Sequence, residues 1–230
     1  MRVRNRLLIS LAAIAGLLAV PAPAASAATE TAASGPLTAQ MSYKRAGLGW
    51  KNLRIAIVRN GATLLSQKPG RVCEFCGPVW PGGGGTPDSP SVHALQLDAT
   101  PEPEAVFDLY SGCAHCCWYS LIFRYDPATS TYLGLEHHWF NAGYRFFDPE
   151  KDGIPEFLSR DDSFAYKYAS YAGSLYPPQI WRYVAGRMLD VTRQYPGIVR
   201  RSARGHRRLY RRGRGDTDVR AALAAYAADK

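Results

Sequence analysis

Apolar residues nowhere run long enough to cross a bilayer: the longest stretch, from Leu7 to Val20, is about 14 residues, and a spanning helix needs about 20. That excludes a membrane-spanning helix. Cysteine is missing around residue 27, which excludes a lipid-modified N-terminal anchor. The chain also lacks a G-x-S-x-G elbow, an H-E-x-x-H helix and a recognisable spaced pair of acids, so the familiar hydrolase signatures are absent.

What is present begins with an export signal. Arg2, Arg4 and Arg6 precede the apolar run, and Pro21, Pro23 and Ala25-Ser26-Ala27 follow it, the order of a cleavable signal peptide. Residues 1–27 are expected to be removed, and the remainder to be secreted, extracytoplasmic and permissive for disulfides. Charge is unevenly placed. Residues 198–230 carry ten Lys or Arg against three Asp, whereas residues 28–197 carry fifteen against sixteen Asp or Glu. The basic character of the chain, +9 overall, belongs to its signal and its tail.

The pattern along the chain predicts a mainly β fold. Ala28 to about Gln40 has few large apolar residues, and residues 28–45 read as a flexible linker. Leu53–Val58 and Ala62–Leu65 flank Arg59-Asn60-Gly61, and Asn-Gly between apolar runs favours a type I′ hairpin because both residues tolerate positive φ. Lys68–Pro90, with Gly82 to Gly85 and several prolines, reads as a loop. Short β-leaning segments then recur at 92–97, 105–110, 118–125, 131–140, 144–147, 156–159, 180–184 and 188–191, rich in aromatic and branched residues and separated by Gly, Pro, Asp or Asn. Residues 164–171 are ambiguous between the strand and helix periods. Ile198, Val199, Ala203, His206 and Tyr210 share one helical face beneath an Arg-rich opposite face, and Val219, Leu223 and Tyr226 form a second stripe that Asp216 or Thr217 would cap. The expected organisation is a β-rich antiparallel repeat domain over 46–195 and a short basic α-helical tail over 196–230. An ending in mid helical pattern leaves open that the chain is a piece of a longer one.

Gln96–Glu104 aligns over Asp148–Glu156 without gaps at an offset of 52 residues, a period suited to stacked β units. The second copy has the outline of a Ca²⁺ loop: Asp148, Glu150 and Asp152 alternate, Gly153 permits a sharp turn, Ile154 offers its carbonyl and Glu156 follows. The other reading of the same residues is an Asp-Gly turn with solvated acids. The first copy keeps Asp98 and Glu104 but has Gln96, Thr100 and Pro101 where acid, acid and glycine are needed.

All five cysteines fall in two clusters, Cys73-Glu74-Phe75-Cys76 and Cys113-Ala114-His115-Cys116-Cys117. In an exported chain they read as disulfide formers, with one left over. The paired spacings also match a zinc knuckle. A thiol nucleophile with His115 lacks an orienting partner, and His137-His138 read as one imidazole inside and one outside a strand.

Asp148–Glu156 resembles the cation loop of FG-GAP and VCBS-type repeats, families that build β-propeller blades or related modules. Pro103–Cys117 is similar to a segment of exported bacterial proteins of unknown function that usually reads Gly-Gly-Ala-His-Cys-Cys; here Cys113 replaces the second glycine. The resemblance runs more loosely through Asp161–Tyr166 to Asp190–Arg193. It implies a propeller-blade-like or sandwich module with room for some three blades, too few for the usual closed ring. The expected function is non-catalytic binding of a surface, polymer or protein, with Ca²⁺ steadying one loop. Arg200, Arg201, Arg204, Arg207, Arg208, Arg211, Arg212 and Arg214 could engage an anionic polymer. The alternative is a secreted hydrolase of an extracellular polymer or ester that uses Asp108, Asp161 or Asp162.

Overall fold

The computed structural model describes residues 27–46, 49–70, 80–82, 89–112, 117–213 and 219–230. All but Ala27 of the expected signal over 1–27, the expected helix cap at Asp216 or Thr217, and four of the five cysteines lie outside the described residues.

Thirteen strands are described, and they form three antiparallel sheets. The first contains β1 (Ala27–Ser34), β2 (Leu37–Ala46), β3 (Gly49–Arg59) and β4 (Ala62–Gln67) in sequence order. The second is built on β6 (Val92–Leu95), β7 (Glu104–Tyr110), β8 (Trp118–Asp126) and β9 (Thr131–Phe140), with the short β5 (Trp80–Pro81) also paired to β7. The third is β10 (Arg145–Phe147), β11 (Glu156–Arg160), β12 (Pro178–Val184) and β13 (Arg187–Asp190), again in order. Helices α1 (Pro196–Arg212) and α2 (Val219–Ala228) close the chain.

Residues 28–45, expected as a flexible linker, instead form most of β1 and β2, and β1 zips onto β2 from Ala27↔Lys44 to Ser34↔Leu37. The β region therefore begins well before residue 46. Small residues mislead here: an edge strand needs a complete hydrogen-bond ladder and one face thin enough to pack, and Ala28, Glu30, Ala32 and Ser34 supply the half-buried face. Behind them Leu37, Ala39 and Met41 of β2 are fully buried.

The Asn-Gly hairpin forms as expected. Asn60 and Gly61 both have positive φ, at 48° and 82°, and β3 pairs with β4 through a bulge beside Val58. The eight later strands follow the expected segments to within a residue or two. Within the glycine-rich loop, Gly82 approaches the Leu109 backbone so closely that an added Cβ would sit 2.6 Å from its carbonyl carbon. Residues 164–171, ambiguous in period, follow a 3-10 turn at Asp162–Phe164 and form turns.

The middle sheet is buried on both faces because its strands alternate strictly. Ala105, Phe107 and Leu109 of β7, with Tyr119 and Phe123 of β8, pack against Met41, Ile55 and Ile57 of the first sheet. Val106 and Ile122, on the opposite face, pack against Phe157 and Tyr183 of the third sheet and against Trp139 and Tyr144. Each such side chain contributes about 1.5–3 kcal/mol by leaving water. The Arg59 guanidinium pins the two halves at one end, pairing with Glu102 while lying 4.1 Å from the Tyr125 ring. Beyond the third sheet, Ile180, Val191 and Tyr195 form a small core with Leu158 and Ile198 that seats the start of α1.

Candidate functional site

The carboxylates of the expected Ca²⁺ loop turn to two tasks: Asp148 and Asp152 cap backbone N–H groups, and Glu150 and Glu156 face Tyr195 and Arg182. Asp148 accepts the backbone N–H groups of Lys151 at 2.7 Å, Asp152 at 3.3 Å and Gly153 at 3.0 Å, and Asp152 accepts that of Ile154 at 2.9 Å. Glu150 accepts the Tyr195 hydroxyl at 2.8 Å. Glu156, 3% exposed, is ion-paired with Arg182. Lys151 and Gly153 take positive φ so that the backbone can wrap around Asp148. No group of three or more His, Cys, Asp or Glu among the described residues is placed to hold a metal. The geometry is that of a capped turn, and Asp148, Glu150, Asp152 and Glu156 form no group of three placed to hold a metal.

Of the cysteine candidates, Cys117 is disulfide-bonded. Cys73, Cys76, Cys113 and Cys116 lie outside the described residues.

Asp108 is sealed into the centre of the molecule. Its side chain, 1% exposed, accepts the Ser120 hydroxyl at 2.5 Å and the Tyr144 hydroxyl at 2.8 Å, and meets His93 Nε2 at 3.1 Å. Ser120 in turn accepts the Trp139 indole N–H at 2.7 Å. Burial, helped by the Asp108 charge, pushes the Tyr144 hydroxyl far above its ordinary range, so it stays a donor. A network closed this fully orders the packing of two sheets; it offers no free oxygen to a substrate. His137, one residue from the half-buried His138, lies between Trp139 and Trp181 with ring centroids 4.2 and 4.7 Å away, and burial lowers its pKa to about 4. It is a neutral, half-buried residue packed between aromatic rings, and His138 is half-buried too, so the expected contrast of one imidazole inside and one outside is weak.

The other two candidate acids stand at an open corner. Three clefts meet around Ser159, Arg160, Asp161 and Asp162, at the end of β11. One, of about 380 Å³, lies between the third sheet and α1 and is lined by Arg145, Arg160, Tyr176, Ile198 and Ser202. A second, of about 630 Å³, runs between Gln179, Asp190 and the helical tail, touching Arg193, Arg200 and Lys230. The third, of about 180 Å³, is lined by Phe140, Trp181, Arg160, Asp161, Asp162 and Gln179. Asp161 caps the 3-10 turn by accepting the Ser163 N–H at 3.0 Å. Asp162 accepts the Asn141 amide at 3.3 Å, and burial raises its pKa.

The tail carries the largest charged surface. At 100° per residue the seven arginines of α1, from Arg200 to Arg212, fall within an arc of about 140°. All seven are exposed, and none makes an ion pair among the described residues. The opposite face is occupied: Ala203 and His206 are buried with Ala221, Ala222 and Ala225 of α2, and His206 Nδ1 meets Asp229 at 2.9 Å. Sequence reasoning located these arginines, Asp161 and Asp162, but not Phe140, Tyr176, Gln179 or Trp181. Those four sit on three different segments, and only the fold brings them to one corner; an aromatic at the end of a strand carries no local mark of a cleft.

Comparison with known proteins gives a partial relationship. The chain is 33% identical over 134 residues, 56% of its own length, to a probable thylakoid lumen protein of Synechocystis, of which the match covers 40%. It is 33% identical over 102 residues, 44% of its length, to an uncharacterized protein of Sinorhizobium fredii, of which the match covers 16%. The chain thus spans less than half the length of these relatives. No protein-family model matches it, and no solved structure does. No described helix is long and apolar enough to cross a membrane.

Proposed function

We propose that the protein is a non-catalytic, β-rich binding module that works outside the cytoplasm and holds an anionic polymer or surface along α1. The observation that carries this reading is the arc of seven exposed arginines without acid partners on a helix whose other face is already packed. A helix with a free apolar face could lie in a lipid interface; here that face is used by α2 and the third sheet, which leaves charge as the means of attraction. Guanidinium groups suit phosphate and carboxylate because their planar forks bond both oxygens at once.

Location outside the cytoplasm is supported by the signal-like N-terminus, the disulfide at Cys117 and the lumenal name of one relative. Three antiparallel sheets of four, five and four strands, packed face to face, support the reading of blade-like repeats in an open stack related to FG-GAP and VCBS modules. The hydrolase alternative loses Asp108 to the buried network, and Asp161 and Asp162 carry no observation that requires turnover.

The test is retention on an immobilised polyphosphate chain with elution by salt. The mature protein should bind and elute at a salt concentration that falls when Arg204, Arg208 and Arg211 are each changed to Glu, with the melting midpoint unchanged; every phosphate that the variant no longer neutralises should lower the slope of log affinity against log salt by about one. Equal retention of that variant would overturn the reading.

A further inference from the structure

The cleft of about 180 Å³ between β9 and the 159–163 corner has features that neither packing nor the arginine stripe explains. Phe140 ends β9 with φ of 51° and half of its surface exposed. A bulky non-glycine residue in the left-handed region is strained and persists only where its surroundings over-determine it. The cause is a bulge: Trp118 pairs with Phe140 but Tyr119 pairs with His138, so Trp139 has no opposite partner. Trp139 shares the parity of Leu135 and His137, so its ring faces the core, where it is 3% exposed, and Phe140, of the other parity, stands beside His138 at the cleft. Bulges of this kind re-aim side chains beside functional sites.

The rest of the lining is polar and planar. Asp162 gives one carboxylate oxygen to the Asn141 amide, and its other oxygen, though buried, has no hydrogen-bond partner. Such groups are rare in folded proteins and call for an explanation. Gln179 reaches Asp190 with its amide nitrogen at only 3.4 Å, leaving its carbonyl oxygen as an acceptor, and the Arg160 guanidinium lies 5.3 Å from the Tyr176 ring at the wall shared with the neighbouring cleft. Trp181 forms part of the apolar side.

We propose that this cleft is a binding site for one neutral sugar ring. A pyranose has an apolar C–H face and a rim of hydroxyls that both donate and accept. Phe140 and Trp181 offer the apolar surface; the carboxylate of Asp161 and the amide of Gln179 accept from hydroxyls, and Arg160 donates. The volume is below the roughly 300–1,000 Å³ of sites for larger ligands, which fits one ring with the rest of a chain outside. Two adjacent acids disfavour an anionic ring, so the ligand is neutral. A neutral sugar has nothing for the arginine stripe to hold, so this assignment and the polymer reading fail separately.

The experiment is titration of the mature protein with neutral trisaccharides of glucose, mannose and N-acetylglucosamine, followed by indole fluorescence and by saturation-transfer NMR. At least one should bind saturably. Phe140→Ala and Gln179→Ala should each weaken it about tenfold, the effect of removing one stacking or hydrogen-bonding partner, while the melting midpoints show both variants folded. The Arg204, Arg208 and Arg211 charge-reversal variant should bind the sugar as the parent does. Absence of binding across the panel, equal affinity in both cleft variants, or failure of the α1 variant to bind would each overturn the assignment.

Discussion

Glu104 and Glu156 stand 52 residues apart, each the first residue of a strand, β7 or β11, and each the last of the nine-residue segment that the sequence aligns. Both are buried, at 1% and 3% exposure. Their surroundings differ. Glu156 bonds Arg182 Nε at 2.9 Å, and Arg182 also reaches the Tyr195 hydroxyl at 2.7 Å, so a charge is met by a charge. Glu104 accepts the Leu97 N–H at 2.9 Å and makes no ion pair among the described residues. Burial first, and then the neighbouring Asp98 charge, raise its pKa to about 7. One position in two similar turns is thus answered once by a counter-ion and once by a proton, and the turn's sequence does not specify which; the partner comes from β12, outside the turn.

The comparison breaks most severely at the counter-ion. Arg182→Ala leaves the Glu156 carboxylate buried with no cation, and removal of one partner of a buried pair costs about 3–5 kcal/mol. Because the Arg182 side chain is 34% exposed, a smaller cost, about 2–3 kcal/mol, is expected in urea unfolding at neutral pH. A second change, Glu156→Gln, should restore part of the loss by removing the stranded charge. If the double variant is no more stable than the single one, the two glutamates are not handled differently.

Protons should reveal the other half. The folded-state pKa of Glu104 lies above its ordinary value of 4.5, so the native state binds more protons than the unfolded chain between those values. Stability is then fully present below about pH 4.5, declines as pH rises towards 7 and is level beyond. The decline is at most about 3 kcal/mol. Glu104→Gln should flatten that portion of the stability–pH curve and leave the protein more stable than the parent above pH 7. An unchanged curve would show that Glu104 remains ionised with a partner of its own.

Strand positions were legible because aromatic and branched residues alternate and turn residues interrupt them, as in Ala105–Tyr110 and Trp118–Tyr125. Asn60-Gly61 set its hairpin through backbone freedom alone. The first two strands were not legible: Ala-Thr alternation has little hydrophobic contrast, and β1 forms because β2 and the middle sheet provide its partners. At the candidate site, Arg160, Asp161 and Asp162 are consecutive and could be noticed as a charged turn. Phe140, Gln179 and Trp181 gain their meaning from a bulge and from register, neither of which leaves a mark in composition.

The smallest expected effects lie in the second turn itself. Asp148→Ala removes the acceptor for three backbone N–H groups at the surface, where water replaces it, so a loss of about 1 kcal/mol is expected in the same unfolding assay. Added Ca²⁺ at millimolar concentration should leave the midpoint of the parent unmoved, because Asp148 already caps the backbone and Glu150 and Glu156 face Tyr195 and Arg182. An ion that bound the native state alone would raise the midpoint in proportion to its affinity. A rise in the parent that vanished in Asp152→Ala would mean that Arg182 and Tyr195 release their acids to a cation. The two turns would then differ in a third way, one holding a proton and the other a metal.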